Sequence, residues 1–181
     1  MPFIKPHVVV KEIDSKYWQL IEPIRYKAKH QEFIVPKGFK TDFATVPPIF
    51  TWLIPTYGLY TKAAILHDYL CKKKIISRAD ADGIFRRTMR ELGVSFIRRW
   101  MMWAAVRADS LLKGASIGEI IIWLLIAIPS LIFLAIPSLV VFIWLAMFWV
   151  LEYIIFGTLK PLSRKRVNKP RFFMSQSQKK L

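Results

Sequence analysis

Between Glu119 and Glu152 the chain runs for 32 consecutive residues without a formal charge. Built as one α-helix, that stretch measures about 48 Å at 1.5 Å per residue. The hydrocarbon core of a bilayer is only about 30 Å thick, so one straight span is too long by roughly ten residues or more. Two antiparallel helices, at residues 117–135 and 137–156, would match the thickness with little tilt. The repeated Ile-Pro-Ser at 128–130 and 136–138 offers the break. Pro137 has no amide hydrogen and suits the first turn of a new helix, whereas Pro129 would kink the one before it. Residues 114–159 are therefore predicted to form a transmembrane helical hairpin that turns near residues 135–138. A shallow wedge kinked at both prolines, or an apolar hairpin buried in a soluble oligomer, are the competing arrangements.

Charge divides around this segment. Residues 1–113 hold 20 Lys and Arg against 10 Asp and Glu, and residues 160–181 hold 8 Lys and Arg with no acid. Basic surfaces beside a bilayer are drawn to anionic head groups by about 1 kcal/mol per nearby Lys or Arg. The lipid bilayer is thus the first expected partner, with a membrane or phage protein as a further one. Nucleic acid is a weaker expectation, because no recognition motif with interleaved aromatics accompanies the charge. A hairpin returns both basic flanks to one side, as the positive-inside rule favours. The expected location is the bacterial inner membrane, with the domain 1–113 and the tail 160–181 both cytoplasmic.

Cys71 is the one cysteine, which rules out an intramolecular disulfide and a Cys-rich zinc site. The N-terminal residues carry no apolar run of signal-peptide length. Residues 8–10, 17–20, 24–27 and 33–35 read as short extended runs, predicting a small antiparallel β meander. Six proline and glycine breakers in residues 36–60 predict a long ordered loop. Three helices follow, at 62–72, from Ser77 or Arg78 to Leu92, and at 95–112. The fold class is α+β, with a three-helix unit ahead of the membrane segment.

Within that unit His67 lies on an apolar helix face whose neighbours one turn away, Ala63, Ala64 and Cys71, are small. Asp82 sits at the edge of the next helix's stripe, between Ala81 and Phe85, where a carboxylate needs a partner. Packed as a pair, these helices would give an imidazole oriented by a carboxylate, the arrangement of a general base. Asp68 and the loop residue Asp42 offer oxygen ligands of the kind a hard cation such as Ca2+ takes. A purely structural His67–Asp82 hydrogen bond and a turn-capping Asp42 are the simpler alternatives. The Lys72-Lys73-Lys74, Arg86-Arg87 and Arg98-Arg99 runs read as solvated or lipid-facing charge.

The blocks Gly38-Phe39-Lys40-Thr41-Asp42-Phe43-Ala44-Thr45-Val46-Pro47, Tyr57-Gly58-Leu59-Tyr60, Ala63-Ala64-Ile65-Leu66-His67-Asp68-Tyr69-Leu70 and Ala81-Asp82-Gly83-Ile84-Phe85 resemble the phage and prophage family known as domain of unknown function 1353. The resemblance covers roughly residues 30–108 and implies a phage origin without an activity. His67-Asp68, then Asp82-Gly83-Ile84-Phe85 and Met89, is also similar to the prokaryotic branch of phospholipase A2. That resemblance implies His67 as the base that activates water, Asp82 as its orienting carboxylate, Asp68 as a calcium ligand and Asp42 as a further loop ligand. Cys71 stands where that family has a tyrosine. The expected function is a membrane-anchored phage-type protein acting at the inner face of the bacterial membrane through binding, in superinfection exclusion, genome entry or lysis support. The alternative is a metal-dependent lipid hydrolase of phospholipase A2-like chemistry.

Overall fold

Alternation in the N-terminal runs is strict enough to fix which face they bury. Ile24 and Tyr26 alternate with Arg25 and Lys27, and Phe33 and Val35 with Glu32 and Ile34, so each strand hides every second side chain. The computed structural model describes residues 3–4, 7–14, 16–28, 31–44, 46–111, 116–162 and 169–170. The strands are β1 (Val10–Glu12), β2 (Trp18–Leu20), β3 (Ile24–Lys27), β4 (Glu32–Val35) and β5 (Lys40–Thr41). They form two small antiparallel sheets, β1-β2-β5 and β3-β4, rather than one continuous meander. Pro23 falls between β2 and β3 and cannot donate to a ladder. The free edge of β2 is taken by β5, with Trp18 opposite Thr41 and Gln19 opposite Lys40. Gly38, at φ 86°, makes the turn that delivers β5, and its amide donates to the Leu20 carbonyl at 2.8 Å.

The helices are α1 (Thr61–Lys73), α2 (Arg78–Glu91), α3 (Phe96–Leu111) and α4 (Ile117–Leu162). Ser77 caps α2 by accepting from the Asp80 amide, and Gly93 at φ 81° ends its C-terminal turn. Ile65, Leu66 and Leu70 of α1 pack with Leu20, Tyr26, Phe33 and Val35 of the sheets. Ala63 and Ala64 face the other way, towards Phe85, Met89 and Met102 of α2 and α3. Small residues there let three helices approach closely. Tyr26 ties β3 to the end of α2 through a 3.0 Å hydrogen bond to Glu91.

The C-terminal apolar segment corrects the predicted hairpin. It is one continuous helix of 46 residues, with no turn at 135–138. Ser116 and Glu119 start it with a capping box, each side chain bonding the other's backbone amide. The first half of α4 already has an antiparallel partner in α3, so it has no need of its own second half. Arg107 Nη2 lies 2.6 Å from Glu119 Oε1, and Trp123 Nε1 donates to the Ala104 carbonyl at 2.8 Å. Ser138, nearly fully buried, meets the Ile49 carbonyl at 3.5 Å. Pro129 is followed by Ser130, whose hydroxyl donates to the Ile126 carbonyl at 2.6 Å. Pro129 has no N–H for the Leu125 carbonyl one turn before it, and the helix runs on through that gap. Beyond Ser138 the large apolar side chains of α4 are mostly exposed. The helix is long and apolar enough to cross a membrane. The junction at residues 113–115 and nearly all of the basic tail lie outside the described residues.

Candidate functional site

α1 and α2 pack side by side through their small residues, and this brings His67 to Asp82. The distance from His67 Nε2 to Asp82 Oδ1 is 2.8 Å. Asp82 is almost wholly enclosed, at 2% side-chain exposure, while His67 keeps 17%. The second carboxylate oxygen accepts from Ser110 Oγ at 2.6 Å and lies 3.6 Å from Arg107 Nη1. A buried carboxylate is costly unless it is paired and hydrogen-bonded. Here α1 and α3 supply both kinds of partner. Arg107 continues to Glu119, so a polar chain runs from His67 on α1 through α2 and α3 to the first turn of α4.

Neither Arg107 nor Ser110 was singled out as a site residue from the sequence. Their signal is their spacing: three residues apart on an amphipathic helix, they share the face turned to α2.

The imidazole is tuned by opposing effects. Burial alone would lower the His67 pKa, but the hydrogen bonds to Asp82 and Cys71 and their charges reverse this and raise it to about 9. At neutral pH the imidazole is therefore held in its protonated form. Cys71 Sγ lies 3.6 Å from the same nitrogen that Asp82 uses, so the thiol is not arranged as a nucleophile relayed through the ring. Among the described residues Nδ1 has no hydrogen-bond partner and is the nitrogen left for a ligand or a water.

His67 and Asp68 line an apolar groove of about 470 Å3. Its walls include Phe43 and Phe50 of the long loop, Met101 of α3, and Trp123, Ala127 and Leu131 of α4. Phe43 holds a positive φ of 62°, unusual for a residue with a bulky side chain, and its amide donates to Thr41 Oγ1 at 3.0 Å. The aromatic ring is thereby turned to the groove and towards Trp18, at 5.7 Å between ring centres.

The acidic pair is less complete. Burial pushes the Asp68 carboxyl above its ordinary range; Asp42, close enough to act through its charge, pushes the same way, and Lys72 opposes both. Lys72 Nζ lies 2.8 Å from Asp68. Among the described residues no group of three or more His, Cys, Asp and Glu is placed to hold a metal ion. Two carboxylates, one of them paired with a lysine, would need backbone carbonyls and waters to complete the six to eight oxygens that calcium takes.

Residues 18–106 match the profile of the family described as protein of unknown function, DUF1353. The matched region starts in β2 and ends in α3, so it holds the His67–Asp82 pair but not Arg107, Ser110 or α4. The chain is also similar to "Uncharacterized protein y4jT" of Sinorhizobium fredii (strain NBRC 101917 / NGR234), with 37% identity over 73 residues. That alignment covers 39% of this chain and 22% of the relative, so the chain spans about a fifth of the relative's length. No solved structure matches.

Proposed function

We propose that this chain is a membrane-anchored protein of phage type that acts at the inner face of a bacterial membrane by binding lipid. One observation carries the reading: the apolar groove beside His67 is walled partly by the same helix whose continuation is long and apolar enough to cross a bilayer. A groove of about 470 Å3 falls within the range of small-ligand pockets, roughly 300–1,000 Å3. An acyl chain leaving the bilayer along α4 would meet Leu134 and Leu131 before Ala127 and Trp123. Such a role fits exclusion of a second phage, genome entry or lysis support.

The charge pattern supports a definite depth. Twenty residues of helix, about 30 Å, counted back from Glu152 reach Ile132. Residues 120–131 then stand outside the hydrocarbon, with one face against α3 and Ile121, Ile122, Leu125 and Ile128 exposed. The domain, with 20 Lys and Arg against 10 Asp and Glu, is drawn to the anionic cytoplasmic leaflet. Placing the tail on that same side belonged to the hairpin and falls with it, because a continuous crossing helix carries the tail to the far side.

The test is photo-crosslinking of the protein, reconstituted in vesicles, to a phospholipid with a diazirine in its acyl chain. Wild type should label on α3 or on residues 120–134. Ala105→Trp, at an exposed position that lines the groove, should label several-fold less. Equal labelling of both proteins would defeat the reading.

A second reading is favoured by His67 itself, which lines that groove with Asp82 on its other nitrogen. In a lipid hydrolase, neutral His67 would take a proton from water, the resulting hydroxide would attack the ester carbonyl, and the proton would pass to the departing alcohol as the C–O bond breaks. The raised pKa requires such activity to grow towards pH 9. Fatty-acid release from phospholipid vesicles by wild type and by His67→Ala, with calcium and with chelator, decides it. Equal rates for the two proteins end the hydrolase claim, and loss of activity with chelator alone would restore the metal at Asp42 and Asp68.

A further inference from the structure

Four arginines, Arg86, Arg87 and Arg90 from α2 and Arg99 from α3, line a second groove of about 770 Å3 that shares no lining residue with the His67 groove. The carboxylate on its wall, Asp80, is engaged by Ser77 at the start of α2, with 2.6 Å between their side-chain oxygens. Among the described residues none of Arg86, Arg90 and Arg99 has a carboxylate partner. Four like charges against the single carboxylate of Asp80 repel one another and need a reason to be held together.

They are held by aromatic rings. The Arg86 guanidinium lies 4.3 Å from the centre of the Trp100 ring and 5.6 Å from that of Trp103. Arg99 lies 5.5 Å from the Phe96 ring. Stacking on ring faces orients a guanidinium while leaving its edge N–H groups free. Trp100 also lines the groove, and its buried indole Nε1 has no hydrogen-bond partner. Burial lowers the Arg86 pKa, and the nearby Arg99 and Arg90 charges act in the same direction.

We infer that this groove is a binding site for the phosphate of an anionic phospholipid head group, with Arg86, Arg90 and Arg99 as its cationic ligands. Planar guanidinium forks match phosphate oxygens two at a time, and a bound phosphodiester would relieve the repulsion among the arginines. Position selects lipid over other phosphates, a step that rests on the membrane-anchored reading above. The contacts Arg107–Glu119 and Ala104–Trp123 set an antiparallel register between α3 and α4. Continued to the start of α3, that register brings Phe96 to about the level of Leu131, next to the proposed hydrocarbon boundary. Phe96 and Ile97 are 68% and 64% exposed there, as residues inserted among head groups would be. The arginine groove lies beside them, at head-group depth.

The experiment is native mass spectrometry of the full chain in a neutral detergent, titrated with phosphatidylglycerol and, in parallel, phosphatidylcholine, glycerol 3-phosphate and a short DNA duplex. Wild type should retain phosphatidylglycerol at least tenfold more strongly than phosphatidylcholine, and Arg86→Gln/Arg99→Gln should lose that preference. Lys11→Gln/Lys40→Gln, which removes the same net charge elsewhere, should keep it. Arg86→Lys/Arg99→Lys preserves charge if the glutamine pair does not fold, and should bind several-fold more weakly because lysine lacks the fork. Undiminished binding by the lysine pair or by a folded glutamine pair overturns the assignment. Glycerol 3-phosphate bound as tightly as phosphatidylglycerol would make the site one for soluble phosphate esters, and displacement of lipid by the duplex would make it a nucleic-acid site; either overturns the lipid assignment. Alkaline carbonate extraction of wild type from vesicles separates the two claims: release would defeat the anchor, while head-group binding in detergent is still read on its own.

Discussion

The two halves of α4 have nearly the same composition and both expose apolar side chains, but only the first also lays one face on the domain. Up to Ser138 the helix is capped by Ser116, joined to Arg107, hydrogen-bonded through Trp123 and packed along α3. After Ser138 it leaves the domain, and side chains as large as Phe142, Trp144 and Phe148 stand exposed. Apolarity alone does not distinguish a helix that packs on protein from one that packs on lipid. The difference lies in sparse polar residues. Glu119, Trp123 and Ser138 each find a partner in the domain, whereas Glu152 marks the far end of the uncharged run.

Removing the strongest of those contacts should separate the halves most clearly. Arg107→Ala leaves Asp82 with His67 as its remaining cationic partner and Glu119 without its mate. We expect a loss of about 3 kcal/mol in domain stability, measured by chemical denaturation in detergent. Membrane residence of the second half should be unchanged, and a change of less than 1 kcal/mol would show that the polar chain is not what clamps α4. Charge placed in the second half, which the proposed span puts in lipid, should have the complementary effect. Ile143→Arg should cost about 3 kcal/mol of insertion free energy, read by glycosylation-site mapping of the inserted segment. Ile121→Arg, equally apolar and exposed but above the proposed boundary, should cost much less; equal costs would move the boundary towards Glu119.

Titration should act on the clamped half alone. The His67 pKa, raised in the fold from 6.5 to about 9, contributes stability that is complete below pH 6.5 and is lost as pH rises through 9. The domain should therefore weaken by up to about 3 kcal/mol between pH 6.5 and 10, and His67→Gln should flatten the curve. A profile that climbs over this interval would mean that His67 is neutral in the folded protein. The smallest effect belongs to Trp123→Phe, which keeps the ring and loses the bond to the Ala104 carbonyl, at about 1 kcal/mol.

Much of the domain was readable in advance because its signals are local. The period-two alternation of β3 and β4, the Ser77 cap and the apolar stripe of α2 each report on neighbours within a few residues. The meeting of His67 with Asp82 was also legible, since two consecutive helices with small residues between them pack as a pair. What was not legible depends on crossings between distant elements. Arg107 looked like one more basic flank residue, because its partners lie 25 residues before it and 12 after it in sequence. β5 is two residues long, too short for any alternation, and exists because β2 had an open edge. Pro137 misled for a physical reason. The rule that proline opens a helix weighs a lost hydrogen bond against water, whereas here α3 and the loop at Ile49 pack on the helix and it stays continuous through Pro137.

A continuous α4 of 46 residues is a rod of about 69 Å, clamped along its first half and bare along its second. If the proposed span holds the second half in lipid while the domain grips the first, any tilt of one against the other would be felt first at Ser138, where its hydroxyl meets the Ile49 carbonyl, and only then at Trp123 and Arg107.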